Sequence, residues 1–171
     1  TLNLPLSDRK KKTDRRMDFF IAHIVETVKT LYNHPSIISY TIFNEGWGQF
    51  NSDMMYDRLK ALDPTRLYDS TSGWFAQRKS DFDSEHIYFR LKKLKPKVRP
   101  LFVTECGGYS YNLNGQNKVY GYGKCASSEE LTARIEKLYR RMIIPAIPAG
   151  CCGCIYTQLS DIEDEINGLY S

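Results

Sequence analysis

The chain has 171 residues, of which 42% are hydrophobic and 26% are charged, and its net charge is +4. This length permits one domain with a sizeable core, and the hydrophobic fraction is ordinary for a soluble protein. No apolar run is long enough to cross a bilayer, so we expect no membrane partner.

Two basic runs stand out, RKKK at 9–12 and LKKLKPKVR at 91–99. Such runs occur on nucleic-acid-binding surfaces, and that alternative would require salt-sensitive binding of DNA or RNA. Here 20 acidic residues are interspersed, and no nucleic-acid motif accompanies the lysines. We therefore interpret the runs as solvated surface and expect no nucleic-acid partner.

Three of the five cysteines lie in the segment CCGC at 151–154. Zinc sites usually combine two well-spaced pairs of Cys or His, and no second pair is present, so we expect no metal. The small-residue, apolar context indicates buried thiols that pack as small hydrophobic groups. An odd number of cysteines without disulfide-like spacing favours a reducing, cytoplasmic compartment.

The first predicted element is a helix with Thr13 or Asp14 as its cap. Its apolar residues recur at helical spacing: Met17, Phe20, Ile21, Ile24, Val25, Val28 and Leu31. The segment YNHPS at 32–36 ends this helix, because Pro35 disfavours helix at the residue before it. A β-branched, apolar run at 37–43 then predicts a buried strand.

The same alternation continues to the end of the chain. A capped helix is predicted within 51–66, ending before Pro64, and a long amphipathic helix within 127–147, with Ser127 or Ser128 in a capping box. The remaining predicted strands lie at 67–73, 84–89, 99–110 and 150–161. Strands that alternate with helices predict parallel βαβ units, and hence an α/β sheet or barrel. No strand is followed by GxGxxG or a P-loop, so we expect no nucleotide and no cofactor.

Two predicted strands end in the same way. The segment YTIFNE ends in Glu45 and the segment LFVTE ends in Glu105, each directly after a run that should be buried. A single Glu at such a position is most often a surface residue just past the strand. Two of them at the carboxyl ends of barrel strands, where barrel enzymes place their chemistry, favour the carboxylate pair of a glycoside hydrolase.

Four segments carry a resemblance to a known family: NHPSI…FNEGWGQF, DPTR, VTECGGY and YTQLSDIEDEINGL. Together they strongly resemble the catalytic TIM barrel of glycoside hydrolase family 2, the β-galactosidase, β-glucuronidase and β-mannosidase group. The resemblance runs from about Asp14 to the end of the chain.

The resemblance implies a role for each matching residue. Glu45 is the acid/base and Glu105 the nucleophile, with carboxyl groups roughly 5–5.5 Å apart, as in retaining enzymes. Asn44 hydrogen-bonds the sugar 2-hydroxyl, and the Tyr88 phenol donates to Glu105 and keeps it charged. Glu45 needs a raised proton affinity, for which Ile42, Phe43 and Trp47 offer an apolar setting, while Gly46 and Gly48 let the loop fold over the site.

Further substrate contacts follow from the same resemblance. His86 contacts sugar hydroxyls or is an ordinary structural histidine, and these alternatives stay open. Trp47 or Trp74 stacks on a sugar face or covers the rim of the barrel. Tyr156 stands where the family often has a tryptophan. The acidic run 161–165 is interpreted as an exposed loop.

The resemblance also implies an architecture. The five strands correspond to about strands four to eight of the (β/α)8 barrel, so residues 1–171 form a single, partial barrel domain from a larger enzyme. A complete barrel needs roughly 250 residues. We therefore expect the chain to be inactive by itself, and to associate with itself or with the missing part of its barrel through open strand edges.

The predicted function is that of a retaining, β-galactosidase-like exo-β-glycosidase, which hydrolyses terminal β-linked sugars by double displacement. The alternative is a non-catalytic carbohydrate-binding remnant of such a barrel, although a binding module needs neither Glu45 nor Glu105. Galactose, glucuronic acid, mannose and glucose remain open as the sugar.

Overall fold

A computed structural model of the chain describes residues 15–46, 48–113, 115 and 120–170. The chain divides into two compact units, Thr1–Ser84 and Glu85–Ser171. The helices are α1 (Arg15–Thr30), α2 (Ser52–Leu62), α3 (Ser128–Leu138) and α4 (Ile144–Ala146). The strands are β1 (Ser39–Phe43), β2 (Leu67–Thr71), β3 (Asp83–Ile87), β4 (Leu101–Gly107), β5 (Tyr109–Tyr111), β6 (Gly123–Cys125) and β7 (Cys151–Thr157).

The first unit is built on a βαβ arrangement. Strands β1 and β2 are parallel, with Ser39 opposite Leu67 and Phe43 opposite Thr71, and α2 connects them. The apolar face of α1 packs with both strands and α2 around one core. The buried members of this core are Met17, Val28, Ile42, Phe43, Phe50, Met55, Leu59 and Tyr68.

A tight turn joins α2 to β2. The carboxylate of Asp63 accepts hydrogen bonds from the backbone N–H of Thr65 (2.9 Å) and from its hydroxyl (2.5 Å). Asp residues favour such turns because their side chain bonds to the backbone two residues on. The DPTR segment therefore ends the helix before Pro64, as the sequence predicts, and it starts β2 at Leu67.

The second unit contains a three-stranded sheet in the order β3–β4–β7. Strands β4 and β7 are parallel, with Leu101 opposite Cys151 and Cys106 opposite Tyr156. The helical segment from α3 to α4 lies between them in the chain and packs against the sheet. The buried core comprises Ile87, Leu94, Leu101, Val103, Cys106, Leu138, Met142, Ile143, Ala146 and Cys151.

The long helix predicted within 127–147 is interrupted. Ser127 caps α3 and accepts from the N–H of Glu130 at 3.2 Å, as predicted. The chain then forms a π-turn at Tyr139–Ile143, in which the N–H of Ile144 donates to the carbonyl of Tyr139, five residues back. Pro145 and Pro148 follow, and neither has an N–H for the carbonyl four residues earlier. The α-helical hydrogen-bond pattern therefore changes after Leu138, but the helical backbone continues through α4 and a 3-10 turn to Ala149 and covers the predicted range.

Two short strands were not predicted. The predicted strand 99–110 is divided at Gly108 into β4 and β5, and β5 pairs in parallel with β6, placing Tyr109 opposite Gly123. Gly107 and Gly108 both have a positive φ, 93° and 65°, which breaks the strand.

The basic segment 91–99 has a partner in the second unit. Lys92 and Lys97 form ion pairs with the buried carboxylate of Glu85, at 2.8 and 3.0 Å. The four lysines of this run are exposed, in keeping with its interpretation as solvated surface, and two of them also neutralise a buried charge. The other run, at 9–12, and the predicted caps Thr13 and Asp14 lie outside the described residues.

The parallel pairing in both units confirms the predicted α/β class, and all five predicted strands are present. Their assignment as barrel strands four to eight, and that of the chain as one partial domain, stay predictions. Among the described residues, no helix combines the length and the apolar character that a membrane crossing requires.

Candidate functional site

Asn44 follows β1 in the first unit and is held by β2. Because the two strands run parallel, the residue after β2, Ser72, reaches the end of β1. Its N–H donates to the carbonyl of Phe43 (2.9 Å), and its hydroxyl donates to Oδ1 of Asn44 (2.8 Å). With Oδ1 engaged, the Nδ2 group of the exposed Asn44 amide is the part that can donate to a ligand oxygen.

Glu45 lies next to Asn44 and is partly buried. Burial raises the pKa of its carboxyl group above the ordinary value. Gly46 and Gly48 have φ values of 90° and 126°, which residues with a Cβ rarely adopt. The two glycines therefore allow the conformation of this loop, as the sequence predicts. Trp47, predicted to help desolvate Glu45 and to stack on sugar, lies outside the described residues.

Glu105 is placed by β4 in the second unit, and residues of β3 and its end donate to it. The phenol of Tyr88 donates a hydrogen bond to Oε2 of Glu105. Nδ1 of His86 lies 3.2 Å from the same oxygen. The hydroxyl of Tyr88 is also 3.2 Å from the hydroxyl of Thr157, at the end of β7. Residues of the three adjacent strands β3, β4 and β7 are therefore linked around the carboxylate of Glu105, with Thr157 reaching it only through Tyr88.

The protonation of the two donors follows from burial. Burial lowers the pKa of His86, although the nearby carboxylates of Glu105 and Glu85 act in the opposite direction. A neutral imidazole carries one N–H, and of the two ring nitrogens of His86 it is Nδ1 that faces Glu105. Burial, followed by the bond to Glu105, raises the pKa of Tyr88, so its phenol remains a donor over the working pH range.

The structure places Tyr156 differently from Thr157. The ring of Tyr156 packs on the core side of β7, over Gly107, where an added Cβ would lie 2.2 Å from the ring. Thr157, one residue later, points to the opposite face of the strand and reaches Tyr88. The proposed contact of Tyr156 with sugar stays a prediction. Thr157 was missed because a Thr at a strand end carries no sequence signal of its own.

The acidic run 161–165 forms part of an ordered loop. The carboxylate of Asp161 accepts from the N–H of Gly168 (2.8 Å), and that of Glu165 accepts from the buried amide of Asn167 (3.0 Å). Gln158 donates to Oδ1 of Asn167 at 2.8 Å. These bonds fix the loop, while Glu163 and Asp164 are exposed as expected.

The cysteines of the second unit are free thiols that donate to nearby oxygens. Cys151 bonds to the carbonyl of Gly153 (3.3 Å), and Cys152 to that of Leu101 (3.1 Å). Burial raises the pKa of Cys106 to about 12 and also raises the pKa of Cys152. Cys106, Cys125 and Cys151 are buried and fit the packing role that the sequence indicates. Cys152 is exposed and Cys154 is half-buried, so the prediction of buried thiols is wrong for Cys152.

The carboxyl groups of Glu45 and Glu105 have contrasting surroundings. Burial raises the pKa of Glu45, whereas the phenol of Tyr88 donates to Oε2 of Glu105 and Nδ1 of His86 lies 3.2 Å from that oxygen. Trp74 lies in a 3-10 turn after β2 and is partly buried. The roles assigned to these residues stay predictions.

A family model described as "Glycosyl hydrolases family 2, TIM barrel domain" matches residues 5–106. The match covers more than half of the chain and includes Asn44, Glu45, His86, Tyr88 and Glu105. No curated protein matches the sequence. The chain belongs to glycosyl hydrolase family 2 and carries residues of the TIM barrel domain of that family.

Proposed function

We propose that this chain carries both catalytic carboxyl groups of a retaining, β-galactosidase-like exo-β-glycosidase. The observation that carries the proposal is the arrangement near the end of β4, where Tyr88 donates to Oε2 of Glu105 and Nδ1 of His86 lies 3.2 Å from the same oxygen. A nucleophilic carboxylate needs its attacking oxygen held in one place, and these two residues from the end of β3 supply that.

The first displacement forms a covalent intermediate. Glu105 attacks the anomeric carbon while Glu45 gives its proton to the glycosidic oxygen, so the leaving group departs as an alcohol. The raised pKa of Glu45 favours this step, because the group must still be protonated at the start. Asn44, with its amide oxygen held by Ser72, donates through Nδ2 to the sugar 2-hydroxyl.

The second displacement restores the enzyme. Glu45, now ionised, takes a proton from water, and the water oxygen attacks the anomeric carbon from the face opposite Glu105. The bond to Glu105 breaks, and two inversions give net retention. Tyr88 donates to Glu105 throughout, both when the carboxylate attacks and when it leaves.

The substrate is a carbohydrate with a terminal β-linked sugar. Trp47 is proposed as a further contact with it, and Trp74 as an alternative stacking surface. The buried side chain of His86 and the core-packed ring of Tyr156 favour structural roles for these two residues over direct contact with the sugar. Galactose is the sugar proposed, and a panel of chromogenic β-galactosides, β-glucuronides, β-mannosides and β-glucosides tests that choice.

We place the five strands β1, β2, β3, β4 and β7 as strands four to eight of the family barrel. On this proposal activity belongs to the complete barrel, because the pocket of a TIM-barrel enzyme is built from loops after all its strands. The 171-residue chain alone should not hydrolyse an aryl β-galactoside.

Two variants of the complete enzyme test the roles. Glu105→Gln should lower kcat by at least about 10⁴-fold and fail to form a glycosyl-enzyme with an activated 2-fluorosugar, because the nucleophile is lost. Glu45→Ala should still form that intermediate when the leaving group needs no protonation, and azide should then accelerate turnover to a β-glycosyl azide. Intact-protein mass spectrometry detects the intermediate.

The matched controls are Glu163→Gln and Glu163→Ala, which alter an exposed carboxylate of the same chain. If azide rescued Glu105→Ala instead of Glu45→Ala, the two roles would be reversed. Wild-type turnover that neither substitution reduces would contradict the assignment of Glu45 and Glu105 as the catalytic pair. A wild-type enzyme that binds the sugar without turning it over would leave a carbohydrate-binding remnant as the better description.

A further inference from the structure

An aromatic stack lies directly behind the phenol that contacts Glu105. The ring of Tyr122 is stacked on that of Tyr88, with centroids 3.8 Å apart and an angle of 13° between the planes. Phe89 and Tyr120 each meet Tyr122 edge-on, at 5.4 and 5.7 Å. Tyr88 itself is buried, so the stack extends from the buried phenol towards solvent.

The backbone is shaped to admit this stack. A Cβ on Gly108 would lie 2.5 Å from the ring of Tyr122 and 3.0 Å from that of Tyr88. Real Cβ atoms do not approach that closely, so the edges of both rings occupy the space that any other residue would fill. The N–H of Tyr122 also donates to the carbonyl of Gly108 at 2.8 Å.

The pairing of β5 with β6 fixes the position of Tyr122 in the chain. Tyr109 lies opposite Gly123 in this parallel pair, so the residue before β6 is brought beside the residue before β5. The short strands that the sequence did not predict therefore have an identifiable effect, since they hold Tyr122 over Gly108 and against Tyr88.

We propose that Tyr122 is a positioning residue for the reaction, because its ring holds the phenol of Tyr88 against Glu105. The proposal rests on the proposed function, in which Glu105 is the nucleophile. Tyr122 does not touch Glu105 in this account and acts only through Tyr88.

The ring of Tyr122 limits the freedom of the Tyr88 side chain. A tyrosine has two rotatable side-chain bonds, and a stacked neighbour at 3.8 Å restricts both. Without the Tyr122 ring, the Tyr88 phenol spends part of its time away from Glu105. The carboxylate then loses one of its two donors, and both displacements slow because Glu105 takes part in each.

A double-mutant cycle in the complete enzyme tests this inference. Tyr122→Ala should lower kcat/KM for an aryl β-glycoside by about tenfold, the upper end of what an aromatic pair contributes. Tyr122→Phe retains the ring and should stay within about twofold of the wild type. In a Tyr88→Phe background, Tyr122→Ala should change kcat/KM by less than about twofold. The reason is that Tyr122 acts only through the Tyr88 hydroxyl, which this background lacks.

Tyr170→Ala is the matched control, since this tyrosine is exposed and should leave kcat/KM unchanged. Thermal unfolding of each variant establishes whether it is folded, and Tyr122→Leu replaces Tyr122→Ala if the smaller residue prevents folding. Equal losses in the wild-type and Tyr88→Phe backgrounds, or a Tyr122→Phe enzyme as impaired as Tyr122→Ala, would overturn the inference. Failure of the proposed function is distinguished separately, by turnover that survives Glu105→Gln.

Discussion

At the scale of single residues, the two carboxyl groups differ through their neighbours rather than their position in sequence. Glu45 lies two residues after β1 and Glu105 lies within β4. Burial raises the pKa of Glu45, whereas Tyr88 donates a hydrogen bond to Glu105 and Nδ1 of His86 lies 3.2 Å from the same oxygen. The contrast between a desolvated group and a hydrogen-bonded one is what separates acid from nucleophile in glycosidases.

The raised pKa of Glu45 predicts a cost in stability at neutral pH. A carboxyl group whose folded-state pKa lies above its unfolded value favours the folded state below the unfolded pKa, and this contribution is lost as the pH rises through the folded pKa. Glu45→Gln removes the buried charge and should therefore raise the unfolding temperature at pH 7 but not at pH 4.

Thermal unfolding of the chain at the two pH values checks this prediction. Glu136→Gln, at an exposed position on α3, is a suitable control because its charge is solvated in both states. An equal rise in the unfolding temperature at pH 4 and pH 7 would mean that the effect of Glu45→Gln does not come from the charge of Glu45.

At the scale of elements, Asp81 ties α2 and β2 to the loop that follows them. Its carboxylate accepts from the phenol of Tyr56 (2.7 Å), from Nζ of Lys60 (2.9 Å) and from the N–H of Tyr68 (2.7 Å). Burial alone would raise the pKa of Asp81, but the bonds from Tyr56, Lys60 and Tyr68 outweigh it, and the pKa is lowered. This arrangement fixes the strand whose end holds Asn44 through Ser72.

Asp81→Ala should destabilise the first unit by about 2–3 kcal/mol, because three donors lose their charged acceptor. The stabilisation from the ionised group is present above the ordinary pKa of 3.8 and is lost as the pH falls through the lower folded-state value. Urea unfolding followed by circular dichroism measures the difference in the free energy of unfolding at pH 7.

The comparison for Asp81→Ala is Asp57→Ala. Asp57 lies on α2, the helix that also carries the Asp81 partners Tyr56 and Lys60. It pairs with Lys79, but both side chains are largely exposed, so the loss of Asp57 should cost at most about 1 kcal/mol. Equal costs at the two positions would contradict the structural role of Asp81.

At the scale of the whole molecule, strand edges are the main feature. Among the described residues, β1 pairs only with β2, and β7 pairs only with β4. Apolar side chains next to or on these strands are exposed: Ile38 (66%), Ile155 (52%) and Leu159 (69%). Unpaired strand edges with exposed apolar residues promote association between chains.

The 171-residue chain should therefore self-associate at micromolar concentration. Ile38→Lys combined with Ile155→Lys should shift the chain towards monomer, because charged residues on strand edges oppose pairing. Sedimentation velocity measures the distribution of species. Val98→Lys, at an 87% exposed position outside the strands, is the control and should leave it unchanged. A wild-type chain that stays monomeric over that range would contradict the prediction.

Much of the fold was predictable from local patterns. Neighbouring residues encode the apolar period of α1, the Asp63 turn, the Ser127 cap and the five main strands. The spacing of residues in the sequence is therefore enough to predict these elements. The π-turn was not predicted, although Pro145 and Pro148 mark it, because the widened hydrogen-bond pattern depends on how the helical segment packs. Strands β5 and β6 are only three residues each, too short for a period of two to be recognised.

The sequence by itself determined the α/β class and the family, and it predicted the two carboxylates, because the Asn-Glu strand end and the second Glu are carried by short motifs. The resemblance predicted that Tyr88 contacts Glu105, but only the tertiary structure decided that Thr157 and Tyr122 contact Tyr88. Thr157 meets Tyr88 because parallel strands bring their carboxyl ends to one edge, whereas the pairing of β5 with β6 places Tyr122. Burial, which sets the pKa of Glu45 and His86, is likewise a property of the folded chain and has no counterpart in residue spacing.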